Sequence, residues 1–329
     1  MAFMTINNTK LLHKGLFLDL DSVDTGDLDL SCLTNSLPEW QFNPTTAIDE
    51  VIKNIQGSSV VVSNKIVLDA DVLANAPDLK LICIAATGIN NVDIQAAGKH
   101  HIAVCNVTAY ATASVVQHVF RLILSLAGRL QDNTRAAIDG QWSNSPYFCL
   151  LDYPPLELTG KTIGIVGYGE LGQAVAGLAK QFGMNVLIAK RDQLDKRPGR
   201  LALQELLPRV DILSLHCPLT EDNINLIDQH ELSLLPSHAL LINTARGGLV
   251  NETALLDAIR NHQIAGAGLD VLAQEPPVPD YPLLNSGFSN LIITPHIAWA
   301  SQQSRQRLLN EVAANIDAFK NGVQRNRIV

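Results

Sequence analysis

Three polar residues late in the sequence, Arg246, Glu275 and His296, each stand just past a short apolar run of strand-forming residues. Arg246 lies in Asn243-Thr244-Ala245-Arg246-Gly247-Gly248, after Leu240–Asn243. Glu275 comes a few residues after Ala265–Leu269, and His296 lies in Thr294-Pro295-His296 after Leu291–Thr294. In open α/β sheets ligands bind outside the carboxyl ends of the strands, so three such residues can serve one crevice. Their types suit the reduction of a 2-keto acid. An arginine fork grips a carboxylate and polarises a ketone. An imidazole titrates near neutral pH and can give the proton. A neighbouring carboxylate fixes the ring and favours its protonated form. Taken singly, each residue also has a structural explanation: a surface ion pair, a solvated loop acid, a satisfied histidine. The set and its placement carry the reading, and the other eight histidines are read as structural, His216 least securely.

Reduction needs a hydride source, and a dinucleotide site precedes the trio. Gly167-Tyr168-Gly169-Glu170-Leu171-Gly172 follows an expected strand, Thr162–Val166, and opens an expected helix, Glu170–Phe182. In such a loop the first glycine makes the tight turn and the second admits a pyrophosphate. The third lets helix and strand pack closely, and the helix N-terminus faces the phosphates. At the end of the next strand, Asn185–Ala189, an acid usually binds the ribose 2′-hydroxyl. Here Lys190 and Arg191 stand there, with no acid before Asp192. Two cations suit a 2′-phosphate, so NAD and NADP both remain open; a solvated basic turn explains them equally simply.

The elements that must carry these groups recur through the chain. Ser59–Ser63, Lys80–Ile84 and Ile102–Cys105 read as strands, and after Lys161 come further strands at Asp211–Leu215, Ala239–Asn243, Ala265–Leu269 and Leu291–Thr294. Near-continuous apolar strands alternating with helical stretches mark parallel sheets covered on both faces. Residues 113–127 read as one long buried helix, Gly140–Leu158 as a loop rich in Pro, Tyr and Trp, and Ser301–Lys320 as an amphipathic helix. The fold class is therefore α/β, with two doubly wound parallel-sheet domains.

Composition fits a well-packed globular chain: 329 residues, 47% hydrophobic and 17% charged. The net charge of −8 gives no reason to expect nucleic acid or an anionic membrane as partner. The five cysteines are scattered, without CxxC spacing. Neither disulfides nor a metal site is expected, and a reducing compartment is the simple reading. The polar start, Met1 to Lys10, lacks the apolar core of a signal peptide, and no apolar run reaches membrane-spanning length. The expected location is the cytoplasm.

Taken together, these stretches resemble the D-2-hydroxyacid dehydrogenase family over nearly the whole chain. The motifs that carry the resemblance are Gly164 to Gly172, Leu215-His216-Cys217-Pro218-Leu219-Thr220, Leu241 to Gly248, Gly268 to Leu272 with Glu275-Pro276, and Thr294-Pro295-His296. The resemblance implies that Arg246, Glu275 and His296 are the catalytic set. It implies that His216, Cys217, Pro218, Thr244, Ala245 and Asp270 border the cofactor, Asp270 at the nicotinamide amide. It implies that the loop through Thr87, Gly88 and Ile89 holds the substrate carboxylate through its backbone, with Arg246, His296 and Trp299 completing the substrate site. It also implies a layout. Residues 1–105 with 297–329 form a discontinuous, flavodoxin-like substrate domain, residues 106–296 form a Rossmann dinucleotide domain, and the active site lies in the cleft between them. A homodimer with helix 113–127 in its interface is implied as well. Within the family, Val62-Ser63-Asn64-Lys65, Ala86 to Asp93, Cys105 to Tyr110 and His296 to Ser301 are most similar to the branch that interconverts hydroxypyruvate and D-glycerate. Ala109 and Ile297 depart from that pattern at positions that usually hold glycine and a small residue. Reductases of glyoxylate or 2-ketogluconate, and a dinucleotide-sensing corepressor-like binding protein, are the alternatives.

Overall fold

A computed structural model describes residues 12–329 of the chain; the polar start from Met1 to Lys10 lies outside the described residues. The described residues divide into two compact units. One holds the chain up to Ala111 together with Trp299–Val329, and the other is Thr112–Ala298.

The first unit is built on β1 (Lys14–Phe17), β2 (Glu39–Phe42), β3 (Val60–Ser63), β4 (Leu81–Ile84) and β5 (Ala103–Cys105). These form one sheet in the order β2-β1-β3-β4-β5, with every pair parallel. That order is the flavodoxin-like winding. Alternation along the strands supplies two apolar faces. Phe17, Val60, Val62, Leu81 and Cys83 pack on one side with Leu308, Leu309, Val312 and Ile316 of the helix Gln302–Lys320. Leu16, Val61, Ile82 and Ile84 pack on the other with Ile55, Leu73 and Ala97. The C-terminal helix thus closes a core begun by the N-terminal half, which makes this unit discontinuous in sequence.

The second unit contains β6 (Thr162–Val166), β7 (Asn185–Ala189), β8 (Arg200–Leu201), β9 (Ile212–Leu215), β10 (Leu240–Asn243), β11 (Gly266–Leu269) and β12 (Leu291–Ile293). Their order is β12-β11-β10-β9-β6-β7-β8, again all parallel. The chain winds outward from β6 in both directions, so the topological switch point lies between β6 and β9, where dinucleotide sites form. Every residue of β9, β10 and β11 is buried, as expected of a sheet covered on both faces. The helix Thr112–Ala127 opens this unit and packs on its sheet, with Leu122 close enough to β11 that only glycine fits easily at Gly268. No helix or strand lies between Ile138 and Thr162, where the sequence reads as a loop. Among the described residues no helix is long and apolar enough to cross a membrane.

The division falls at 111/112 and 298/299, a few residues beyond the boundaries expected at 105/106 and 296/297. Hydrogen bonds give the reason. Val107 N–H donates to Ala86 O, Asn315 Nδ2 to Asn106 O and Arg307 Nε to Tyr110 O, so residues 106–110 belong to the first unit. The N–H groups of Ile297 and Ala298 donate to the Asp270 carboxylate, which keeps both in the second. Strands β1, β2 and β8 were not expected from the sequence. β1 begins with Lys-Gly, β2 is a half-exposed strand at the sheet edge, and β8 has two residues. Each is too short or too polar to show a period.

Candidate active site

The glycine loop turns between β6 and the helix Glu170–Gln181. Gly167 sits at φ +92°, a region that glycine enters readily, and a Cβ there would lie 2.4 Å from the backbone nitrogen of Cys217. A Cβ on Gly172 would lie 2.0 Å from Gly167 O. Both glycines are therefore fixed by backbone contact. Gly169 differs: a Cβ there would meet nothing within 4 Å, so the loop leaves open space at the helix N-terminus. Tyr168 lies under the Arg200 guanidinium at 5.7 Å, and the Glu170 carboxylate accepts from the Thr112 hydroxyl. Leu171 is half-buried in the first helical turn.

Across the switch point, β9 delivers His216, Cys217 and Pro218. His216 Nε2 is 2.9 Å from the Ser214 hydroxyl, while its Nδ1 is buried without a partner. Burial pushes the imidazole down to about 4, so the ring is neutral at neutral pH. Thr244, after β10, likewise has a buried hydroxyl with no partner. Open space beside Gly169 and two unsatisfied buried polar atoms at neighbouring strand ends fit a polar cofactor that completes them. Past β7, Asp195 takes up Arg197 and Arg200 at 2.6 and 3.1 Å. The bonds from Arg197 hold its carboxyl well below the ordinary range. Arg191 is exposed, 4.0 Å from Asp192, and Lys190 has no ion pair among the described residues.

Arg246, Glu275 and His296 follow β10, β11 and β12, three adjacent strands of the sheet. Buried Asn243 shapes the first turn, accepting from Ala245 N–H at 3.0 Å and donating to Arg246 O at 2.9 Å. The Arg246 side chain is exposed, with Nη1 donating to Ala245 O at 2.6 Å. Gly247 lies against the Leu272–Ala273 peptide, where a Cβ would come within 1.9 Å of Leu272 C. That contact seats the arginine turn on the loop bearing Glu275. The same loop is held by Glu252, which accepts from Ala273 N–H at 2.8 Å and from the Tyr281 hydroxyl at 2.5 Å. Burial, with the bond to Glu252, pushes that phenol up to about 12. Glu275 Oε1 accepts from Leu272 N–H at 2.8 Å, and Oε2 lies 2.7 Å from His296 Nδ1.

His296 itself has φ +53°, unusual for a residue with a side chain. Its N–H donates to Asp270 O and Thr294 O, at 2.8 and 2.9 Å. The Asp270 carboxylate, 1% exposed, accepts from Thr294 Oγ1, Ile297 N–H and Ala298 N–H at 2.6, 3.0 and 2.8 Å. Asp270 thus holds the histidine segment from both its main chain and its side chain. Thr87, Gly88, Ile89 and Trp299 belong to the first unit. The Thr87 hydroxyl donates to Val107 O at 2.8 Å, and Trp299 packs edge-on against Tyr110. Ala109 adopts φ +62°, a region that glycine enters more readily than alanine.

The sequence profile of the "D-isomer specific 2-hydroxyacid dehydrogenase, NAD binding domain" matches residues 120–298. The glycerate dehydrogenase of Methylorubrum extorquens is 39% identical over 317 residues, covering 96% of this chain and 99% of that one. The chain belongs to the D-isomer specific 2-hydroxyacid dehydrogenase family. The hydroxypyruvate reductase of Blautia hydrogenotrophica is another relative, 35% identical over 94% of this chain and 97% of its own. Among solved structures, the TT0316 protein of Thermus thermophilus superposes with a TM-score of 0.85 at 32% identity, covering 96% of this chain and 100% of that one.

Several positioning residues of this family member were not singled out from the sequence. Asn243 and Thr294 lie inside the quoted motifs but have no chemistry of their own to mark them. Glu252 opens a helix remote in sequence from Glu275. A signal in the sequence is the break of the apolar stretch Val115–Leu126 by Gln117, His118 and Arg121. A prediction follows from the Gly247 contact. Gly247→Ala forces a Cβ into backbone that cannot swing aside, and overpacking costs about 1–3 kcal/mol. The urea midpoint should fall accordingly, and an unchanged midpoint would show that the two loops do not bear on each other.

Proposed function

We propose that the chain reduces a small 2-keto acid to the D-2-hydroxy acid with NADPH or NADH, hydroxypyruvate to D-glycerate being the preferred pair. The observation that carries this is the 2.7 Å contact between His296 Nδ1 and Glu275 Oε2, beside the arginine turn and after strands of the same parallel sheet that carries the glycine loop. With Nδ1 engaged by Glu275, the proton passes through Nε2. Arg246 binds the substrate carboxylate and polarises the ketone through its forked guanidinium. The bound nicotinamide supplies the hydride. His296 would give its proton to the ketone oxygen, which becomes the hydroxyl of the product. Gly167, Gly169 and Gly172 would shape the pyrophosphate cradle, and His216 Nδ1 and Thr244 Oγ1, buried without partners, would be the groups to hold polar atoms of the cofactor. The names of the glycerate dehydrogenase and hydroxypyruvate reductase relatives favour the three-carbon substrate.

Lys190 and Arg191 are proposed to hold a 2′-phosphate, since the carboxylate nearest in sequence to the other arginines, Asp195, is already committed to Arg197 and Arg200. A charge-assisted bond is worth about 1.5–3 kcal/mol. Replacing both cations by alanine should therefore lower kcat/KM with NADPH by ~10–100-fold or more and leave the NADH value within a few-fold. A strong NADH preference in the parent enzyme would remove the phosphate role. The decisive experiment is a panel of hydroxypyruvate, glyoxylate and 2-ketogluconate assayed with both cofactors. Fastest turnover on hydroxypyruvate is expected; no turnover of any 2-keto acid would overturn the enzymatic reading.

The reading extends to a cytoplasmic homodimer. An apolar groove lined by Val116, Phe120, Leu124, Leu178 and Phe182 supports it, as do Phe148, Tyr147 and Leu151, which are 91%, 75% and 76% exposed. Apolar patches of this kind are usually covered in oligomers.

A further inference from the structure

One buried ionisable side chain takes no part in the reaction just described. His118, on the helix Thr112–Ala127, is 2% exposed and the only histidine among the buried polar residues described. Its Nδ1 faces Arg121 Nη2 within hydrogen-bond distance. A guanidinium has only donors, so Nδ1 must be the acceptor and the proton of the neutral ring sits on Nε2. That Nε2 donates to Thr294 Oγ1 at 2.8 Å and lies 3.3 Å from Asp270 Oδ1. Thr294 has spent its acceptor side on His118 and donates its own proton to Asp270 Oδ1 at 2.6 Å. The direction of every bond is therefore set: Arg121 to His118, His118 to Thr294, Thr294 to Asp270. Burial lowers the imidazole's pKa from the ordinary histidine value, and Arg121 adds to this against the opposing pull of Asp270. The neutral form that the relay requires is thus the form the site favours.

The far end of the relay is the strained residue. His296 sits in the left-handed region at φ +53°, a conformation that persists only where its surroundings impose it. Asp270 imposes it. Its carbonyl accepts from His296 N–H, and its carboxylate accepts from the next two N–H groups, those of Ile297 and Ala298. A carboxylate can meet both amides only in one rotation of its side chain, and Thr294 selects that rotation by taking Oδ1.

We propose that His118 is a positioning residue for the reaction: through Thr294 it orients the Asp270 carboxylate, and so holds the backbone that aims the His296 imidazole. This rests on the reading of His296 as the proton donor. The effect is remote in sequence, about one helix away from the chemistry, and local in space, two hydrogen bonds from Asp270. Misplacement of a reacting group by about 1 Å can cost ~10²-fold. Loss of the relay should accordingly appear in kcat far more than in the KM for substrate or the Kd for NADPH.

The test compares His118→Leu, His118→Gln and Thr294→Val in the full-length protein, with hydroxypyruvate and NADPH. Leucine keeps the volume and removes both polar atoms; glutamine retains an acceptor for Arg121 and a donor for Thr294. His118→Leu is expected to lower kcat by ~10–100-fold, with KM and the NADPH Kd within about threefold. His118→Gln should recover most of that loss. Thr294→Val should reproduce it, and the double variant His118→Leu/Thr294→Val should be no worse than either single one, since both break one chain. A kcat within twofold of the parent for His118→Leu would overturn the proposal. So would a glutamine variant as slow as the leucine one, or losses that multiply in the double variant. Should His118→Leu fail to fold, the glutamine and valine variants decide on the same criteria. His296→Ala in the same series separates the two readings: if it is inactive while His118→Leu is normal, only the relay falls, and if it turns over normally, the proton-donor role falls first.

Discussion

Replacing His296 by alanine is expected to lower kcat by ~10²–10⁴, the usual contribution of a positioned general acid. The substrate KM and NADPH binding should change little, because a general acid in the proposed role gives its proton only on the way to the product and contributes little to holding the ground state. The structure requires a control. His296 occupies a left-handed backbone conformation, and alanine is poorly suited to it. Asparagine tolerates that conformation better but has no transferable proton near neutral pH. His296→Asn should therefore keep the fold and show the same loss as His296→Ala. Steady-state kinetics on hydroxypyruvate, with thermal melting of both variants, check this. Turnover by His296→Asn within tenfold of the parent would mean that the proton comes from another group or from water.

The second large effect is at Arg246. Arg246→Lys keeps the charge and loses the planar fork that meets a carboxylate and a ketone together. Removing one preorganised donor to a developing oxyanion typically costs ~10²–10³ in rate, so kcat/KM should fall by about that factor. Unlike the histidine variants, the loss should divide between a raised KM and a lowered kcat, because in the proposed role the same group both binds substrate and polarises it. The side chain leaves a turn fixed by Asn243 and seated by Gly247. A lysine there starts from the same Cα position, and the comparison tests the head group alone. A lysine variant with parental KM and kcat would show that a point charge suffices and that the fork has no role.

Much of this site was readable before any coordinates. The three candidate residues each follow a strand of the parallel sheet, and parallel strands are the most legible elements because apolar β-branched runs between glycines have few other uses. β6 and β7 begin and end where the residues say, and the helix Gln302–Lys320 differs by a single residue at its start. The glycine loop was legible because its glycines answer steric demands local to one turn: Gly167 against Cys217, Gly172 against Gly167. The edges were not. β2 and β8 are short and partly exposed, so little apolar pattern is imposed on them. The domain boundaries moved by a few residues because they depend on hydrogen bonds donated by Asn315 and Arg307 and accepted by Asp270, partners distant in sequence.

Residue type and local spacing alone pointed to the kinds of chemistry available: a cation fork, an acid–base ring, a carboxylate and a phosphate cradle, in an α/β chain. Those are properties of single turns, written in a few consecutive residues. Only the folded chain could show that Glu275 reaches His296, that Gly247 seats against the loop bearing Glu275, and that buried His118 bonds to Thr294 and Thr294 to Asp270. Such contacts join residues 21, 25 and 176 positions apart. The first two arise because parallel strands bring their carboxyl ends side by side at about 4.8 Å spacing whatever length of chain connects them; the third arises because the helix Thr112–Ala127 packs on that sheet.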